Sequence, residues 1–185
     1  MKTFEHIEVF QNGISTMGMK NLFLSLKDNT NLKILKINDN FTKNALKDLI
    51  DILPNFKDLN IIDISDSITE SDLGNKLGVE LFKALSSLEN LEEIYCNYNE
   101  IIDKKAQKEI FENLKNFKKI KILQLKGNEI NKNLLKEYTK NITIDKFECY
   151  SENEEELEEE EEAEVKEKEK IDKLTEDIDK ININK

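Results

Sequence analysis

The chain has 185 residues, of which 38% are hydrophobic and 36% are charged, so it has the length of one ordinary domain with one core. Its formal charge is −11, and all 28 basic residues are lysines. This balance argues against nucleic acid as a partner, because phosphate binding needs a positive surface and often an arginine fork. The two cysteines, Cys96 and Cys149, are too few for a disulfide framework and favour a reducing compartment.

No membrane segment is predicted. Met1 to Phe10 carries Lys2, Glu5 and Glu8 with no apolar run behind them, which argues against a signal peptide. No stretch approaches the roughly 18 consecutive apolar residues that a membrane-spanning helix needs. We therefore expect an intracellular protein without a membrane partner.

Five segments of the chain repeat one pattern, with apolar residues or a cysteine at positions 1, 4 and 6 and a small polar residue at position 9. They are Phe4-Ile7-Val9-Asn12, Leu32-Leu35-Ile37-Asn40, Leu59-Ile62-Ile64-Ser67, Leu91-Ile94-Cys96-Asn99 and Ile120-Leu123-Leu125-Asn128, and Ile144-Phe147-Cys149 begins a sixth. The repeats follow one another at a nearly constant interval of about 24 to 32 residues, which is the leucine-rich-repeat pattern at the long end of its range.

A second pattern recurs between these segments, with apolar or small residues every four positions, as on one face of a helix. Its members are Gly18, Leu22, Leu26; Ala45, Leu49, Leu53; Leu77, Leu81, Leu85; and Ala106, Ile110, Leu114. Candidate N-terminal caps of these helices are Ser15, Thr42, Thr69 and Asp103. Each unit is therefore predicted to be a strand, a turn and a helix of about three turns, and the units stack.

The sequence thus predicts an α/β fold over 1–150, a leucine-rich-repeat solenoid of right-handed strand–turn–helix units with parallel strands on its concave side. We expect about five repeats and a partial last one. The first repeat, which begins at Phe4, has no cap ahead of it. Ile7 and Val9 should therefore lie on an edge that a partner, a second copy or earlier repeats would cover.

The polar residue at position 9 is predicted to be structural. Its side chain can bond backbone groups that the chain leaves unpaired as it turns out of the strand. Four repeats have asparagine there: Asn12, Asn40, Asn99 and Asn128. Ser67 takes this position in the third repeat and can do part of the same work.

The C-terminal segment carries most of the acidity. Residues 151–185 hold 16 of the 39 acidic residues and 6 of the 28 lysines, and residues 1–150 hold 23 acids and 22 lysines. Twelve glutamates and three lysines within 151–170 leave too few apolar groups to offset the entropy of ordering, so we expect disorder there. A helical spacing of isoleucine and leucine follows over 171–181. The acidic segment would attract a basic protein partner at long range.

Four stretches, in their order along the chain, resemble the C-terminal half of the Ran GTPase-activating proteins. They are IEVFQNGI at 7–14, NLKILKINDN at 31–40, YNEI at 98–101 and LKGNEI at 125–130, with Gly18 between the first two. The glutamate-rich segment is similar to theirs as well, and the likeness covers about residues 4–165. The resemblance implies a protein that is not itself an enzyme, binds a small GTPase of the Ran type and promotes its GTP hydrolysis in nucleocytoplasmic transport.

The same resemblance implies a location in the cytoplasm or at the nuclear envelope. Members of that family are thought to order Ran's own catalytic machinery rather than insert an arginine finger. Their best-known functional arginine and asparagine precede the unit that matches QNGI, so no residue of this chain inherits those roles. We therefore expect a chain that lacks the functional N-terminal repeats and activates weakly.

The residues predicted to touch a partner lie at positions 7 and 8, just before each turn. They are Gln11, Asn38, Asp39, Ser65, Asp66, Asn97, Tyr98, Lys126 and Gly127. Solenoids bind through their extended concave face and its edges, which makes this rim the expected contact surface. No catalytic residue, metal ligand set or cofactor site is predicted: His6 stands alone, and no GxxxxGK[ST] or GxGxxG motif occurs.

A second hypothesis is an acidic leucine-rich-repeat scaffold that binds basic proteins such as histones. The acidic nuclear proteins of that kind use shorter repeats of about 24 residues. The full units here are longer, at about 27 to 32 residues, and contain a true helix. The period therefore favours the GTPase-activating class.

Overall fold

The computed structural model describes residues 3–40, 45–68, 71–140 and 142–149. In these ranges the elements are β1 (His6–Glu8), α1 (Thr16–Leu26), β2 (Ile34–Lys36), α2 (Leu46–Ile52), β3 (Ile61–Asp63), α3 (Ser71–Leu85), β4 (Glu93–Tyr95), α4 (Lys104–Leu114), β5 (Ile122–Gln124), α5 (Lys132–Thr139) and β6 (Lys146–Glu148), with a 3-10 turn, Leu53–Asn55, after α2. The predicted acidic segment 151–185 and its helix at 171–181 lie outside the described residues.

The six strands form one parallel sheet in chain order. Position 4 of every repeat is in register with the next, so that Ile7 pairs with Leu35, Leu35 with Ile62 and so on to Phe147. Each connection between neighbouring strands carries a helix. The prediction of an α/β strand–helix repeat solenoid is confirmed, and the arrangement is compatible with the leucine-rich-repeat class.

The core lies between the sheet and the helices. In the second to fifth repeats the side chains at positions 1, 4 and 6 are at most 8% exposed. Positions 4 and 6 are two residues apart, so both point to the same face of a strand, and that face is covered by helices. Burial of each leucine or isoleucine contributes roughly 1.5 to 3 kcal/mol, so the core is built from the repeated pattern itself.

The predicted helical stripe is confirmed at Leu26 of α1 and is wrong at Gly18 and Leu22. In this helix the buried side chains are Met19, Phe23 and Leu26, whereas Gly18 and Leu22 are half-buried. The equivalent positions in the next three repeats are buried. The later repeats have a described repeat before them that can cover these positions, and the first repeat has none among the described residues.

Side-chain caps begin three of the helices. Ser15 and Asp103, both predicted as caps, accept a backbone N–H from the first turn of α1 and α4. Asn131 caps α5 in the same way and had no predicted role. The predicted caps Thr42 and Thr69 lie outside the described residues.

The buried thiol of Cys96 should be chemically inert in the native protein. Cys96 lies at position 6 of the fourth repeat, and burial raises the pKa of its thiol to about 12. In a Cys149→Ser variant we expect no labelling by a disulfide reagent at about pH 8, because the thiolate is the nucleophile. The same protein in denaturant should label fully. Fast labelling without denaturant would contradict this burial.

Candidate protein-binding surface

The chain leaves each of the first five strands through the same backbone conformation. The residues at position 8 all have positive φ: Gln11 (53°), Asp39 (55°), Asp66 (51°), Tyr98 (54°) and Gly127 (68°). Only glycine adopts this left-handed region without steric cost, and for other residues the cost is roughly 1 to 2 kcal/mol. Such strained positions concentrate at functional sites. All nine residues predicted to touch a partner lie along this edge, here called the rim.

The rim is held by backbone hydrogen bonds that continue the parallel ladder beyond the strands. Each N–H at position 8 donates to the position 7 carbonyl of the next repeat: Gln11 to Asn38 (3.2 Å), Asp39 to Ser65 (3.0 Å), Asp66 to Asn97 (2.8 Å) and Tyr98 to Lys126 (2.7 Å). Neighbouring strands lie about 4.8 Å apart. The rim side chains are therefore presented at a fixed spacing rather than on separate loops.

The side chains of two predicted contact residues, Ser65 and Asn97, form hydrogen bonds within the rim. The hydroxyl oxygen of Ser65 accepts the N–H of Asn97 at 3.1 Å. The Asn97 side chain in turn accepts the N–H of Lys126 at 2.9 Å and donates to Gln124 at 3.2 Å. Position 7 thus rigidifies the rim, and the exposed side chains at position 8 present most of its contact surface.

Buried asparagines at position 9 form hydrogen bonds to the turn of the repeat before their own. Asn99 is 0% exposed, and its Oδ1 accepts the N–H groups of Ser67 and Ile68, each at 2.9 Å. Its Nδ2 donates to the carbonyl of Ile64 at 3.1 Å. One side chain therefore bonds three backbone groups of the third repeat.

Asn128 and Asn40 act in the same way. Asn128 Oδ1 accepts the N–H groups of Asn99 and Ile101, and Asn40 Oδ1 accepts that of Ile14. Asn12 differs: it is exposed, and its amide donates to the carbonyl of Phe10 in its own turn, at 2.8 Å. The reason is its place in the first repeat, since there is no earlier described turn for it to hold.

Gln107 has a structural role that the repeat pattern did not predict. It is 1% exposed on α4, and its amide donates to the carbonyls of Ile101 (2.9 Å) and Glu129 (3.1 Å). Its Oε1 accepts the N–H of Asn131 at 2.8 Å. It joins the turns of the fourth and fifth repeats. The only signal in the sequence was a polar residue inside an apolar helical pattern.

The first and third residues of each strand point away from the helices and form what we call the open sheet face. At one end of it Glu8 pairs with Lys36 (2.7 Å) and His6 (2.9 Å). These hydrogen bonds, that of Lys36 first, hold the pKa of Glu8 below its usual value. The pair therefore stabilises the fold above the ordinary carboxyl range and loses this effect as the pH falls through the lowered pKa.

The other end of the open sheet face is arranged in the same way. Glu148 pairs with Lys146 at 2.5 Å and with Lys126 at 3.1 Å. The Lys146 hydrogen bond is the main cause that lowers the pKa of Glu148. The lysines at both ends of this face are thus engaged with carboxylates of their own chain.

The middle of the surface is acidic. Asp63 and Glu93 lie on the open sheet face, and Asp39 and Asp66 lie on the rim beside them. Within the described ranges none of these four carboxylates takes part in an ion pair. Tyr95 stands among them and donates its hydroxyl to Glu93 at 2.8 Å. Burial, followed by that bond, raises the pKa of Tyr95 to about 12, so its phenol stays neutral.

Tyr98 is an exposed aromatic residue of the rim. It is 55% exposed although its backbone is held at positive φ. The ring lies directly against Gly127 of the next repeat, so closely that a Cβ at Gly127 would overlap the ring. Exposed tyrosines with a fixed orientation make good anchors at interfaces, because little side-chain entropy is lost on binding.

A groove of about 480 Å³ lies between α3 and α4 and is lined partly by Asn75, Lys76, Glu80 and Glu109. Its carboxylates form no metal site: among the described residues no group of three or more His, Cys, Asp or Glu is placed to hold a metal ion. None of the helices in that same part of the chain is long and apolar enough to cross a membrane.

The fold places the chain among strand–helix repeat solenoids whose arrangement is compatible with leucine-rich repeats. Comparison with known proteins adds no narrower class. No protein-family model matches the chain, and no curated protein matches it. The likeness to the Ran GTPase-activating proteins therefore remains a prediction from the four stretches of sequence.

Proposed function

We propose that this protein is a binding module whose rim and open sheet face engage a folded protein that exposes lysine and arginine side chains. The observation that carries the proposal is the rim itself. Five consecutive repeats hold position 8 in the left-handed conformation, and an exposed tyrosine and two aspartates occupy three of these positions. These side chains are therefore presented on a backbone that is already fixed, so little conformational entropy is lost there when a partner binds.

The electrostatics support a basic partner. The carboxylates of Asp39, Asp63, Asp66 and Glu93 are collected in the middle of the surface, while lysines are paired with glutamates at its ends. Charge complementarity of this kind raises the association rate and selects against acidic partners. Tyr98 supplies the apolar contact that an exposed ion pair lacks, since surface pairs alone contribute little affinity.

The sequence resemblance suggests a small GTPase of the Ran type as this partner, with promotion of GTP hydrolysis as the outcome and the cytoplasm or nuclear envelope as the place. Titration of the chain with GTP-loaded and GDP-loaded Ran tests this. We expect binding that prefers the GTP form, and weak stimulation of hydrolysis, because no residue of this sequence matches the family's functional arginine and asparagine. Equal affinity for both nucleotide states, or none, would contradict it.

The role of the rim carboxylates is tested by the double variant Asp39→Asn and Asp66→Asn. Asparagine tolerates the left-handed conformation, so the charge is removed while the backbone is kept. We expect the association rate to fall several-fold and to depend less on salt. The matched control is Asp58→Asn, an exposed carboxylate in the turn that precedes β3, away from the rim, which should bind like the unaltered chain.

The second candidate is an acidic scaffold that binds basic proteins such as histones. The carboxylates at the middle of the surface favour it as well, and so does the glutamate-rich stretch at 151–170. The two candidates differ in specificity. A scaffold should bind core histones at least as tightly as Ran and should ignore the nucleotide state, so the same titrations separate them.

A further inference from the structure

The first repeat exposes apolar side chains, one of them at a position that the next three repeats bury. Phe4 is 56% exposed and Phe10 is 44% exposed, whereas the residues equivalent to Phe4 in the next three repeats are fully buried. Ile7 and Leu22 are half-buried for the same reason. This end of the solenoid therefore exposes apolar side chains of the kind that the next repeats bury in the core.

The backbone at this end also has unused pairing capacity. In the described residues β1 pairs only with β2. At the two ends of β1, the carbonyl of Glu5 accepts the N–H of Lys33 and the N–H of Val9 donates to the carbonyl of Lys36, so the backbone groups of Glu5 and Val9 face β2. Alternate residues of a strand direct their N–H and C=O groups to opposite sides. The groups of His6 and Glu8 therefore point away from the sheet and form an edge that can accept another strand.

We propose that this edge pairs with the same edge of a second copy, as an antiparallel β1–β1 contact with its twofold axis at Ile7. In this register His6 of one copy lies opposite Glu8 of the other, and both can exchange N–H and C=O bonds because both face outward. Ile7 meets its own equivalent in the intervening non-hydrogen-bonded pair, where side chains are closest. The interface is isologous, as in most homodimers.

The charges and apolar residues around Ile7 are complementary to themselves. The twofold axis gives two cross-strand His6–Glu8 pairs on the open sheet face, where these side chains already lie 2.9 Å apart within one chain. The same register places Phe4 opposite Phe10 of the second copy, and these are two of the exposed large apolar residues. Gly18 and Leu22 of α1 are half-buried whereas their equivalents in the next three repeats are buried, so the α1 helix of a second copy at this end would cover them.

Sedimentation of the full chain over a dilution series tests the proposal, with circular dichroism to verify folding. We expect a monomer–dimer equilibrium. His6→Glu places glutamates opposite each other twice and should weaken the dimer about tenfold. Combining His6→Glu with Glu8→Lys restores opposite charges across the axis and should restore the dimer. A monomer at every concentration, or no recovery in the double variant, would overturn the β1–β1 contact.

Two further variants decide which edge is used. Lys146→Glu changes the equivalent position on β6, at the other edge of the described sheet, and should leave the dimer unchanged. A loss of association in this variant would show that the β6 edge forms the contact and would refute the β1–β1 pairing. In a background of Cys96→Ser and Cys149→Ser, Ile7→Cys should form a disulfide-linked dimer on mild oxidation, because non-hydrogen-bonded pairs bring Cα atoms to about 4.5 Å. Failure to cross-link while the chain is dimeric would also refute it.

Discussion

Replacing Asn99 by alanine is expected to lower the free energy of unfolding by about 3 kcal/mol, because three buried hydrogen bonds to the backbone are lost and each contributes roughly 1 kcal/mol. The substitution removes the acceptor for the N–H groups of Ser67 and Ile68 and the donor to Ile64, all in a site that is 0% exposed. Urea unfolding followed by circular dichroism measures the change, provided that the slope with denaturant is unchanged.

Asn12→Ala is the matched control for this prediction. Asn12 occupies the same motif position but is exposed and bonds within its own turn. Its replacement should change the free energy of unfolding by less than about 0.5 kcal/mol, the usual range for surface substitutions. If both variants lost the same stability, the asparagine would matter for local turn formation and not for the attachment of one repeat to the next.

The second large effect is expected at the rim, where Gly127→Ala should lower the free energy of unfolding by about 3 kcal/mol through strain and overlap together. Alanine at φ +68° carries a conformational cost of roughly 1 to 2 kcal/mol. Its Cβ would also overlap the ring of Tyr98, which must move. Because Tyr98 is the proposed anchor, partner binding should weaken together with stability.

Gly13→Ala separates the two causes. Gly13 has φ +59° but nothing within 4 Å of an added Cβ, so only the conformational cost applies, about 1 kcal/mol. Tyr98→Ala placed on top of Gly127→Ala should recover part of the lost stability, since the overlap disappears. Equal losses for Gly13→Ala and Gly127→Ala would show that the contact between ring and glycine contributes nothing to the rim.

Most of the fold was predictable because one short pattern recurs. The alternation of Leu35 and Ile37, repeated in the other units, predicts the buried face of each strand. The helical spacing of residues such as Leu49 and Ile110 predicts the helix face that covers it. Neither depends on contacts distant in the sequence. The stripe failed at Gly18 and Leu22, where burial depends on a neighbouring repeat and not on the residues themselves.

The position of the candidate surface was predictable from the sequence, but the contacts between its side chains were not. Positions 7 and 8 were predicted to line the rim because they lie just beyond the buried strand residues. That Ser65 and Asn97 serve their neighbours' backbone, and that Tyr98 lies on Gly127, depends on side chains that come from different repeats. Gln107 was not predicted for the same reason. It bonds the turns of two different repeats, and a repeated spacing of residues does not indicate such contacts.

The sequence by itself determined the class of this protein: a stack of strand–helix units whose repeated leucines and isoleucines have no stable place except between a sheet and its helices. It also determined which edge carries polar side chains. The uncovered edge at the first repeat was also expected from the sequence, and only the tertiary structure decided how the charged side chains pair, which turns have positive φ and how far Phe4 and Phe10 are exposed. Those properties belong to pairs of repeats, because charge pairing, backbone strain and burial are set by what the neighbouring unit supplies.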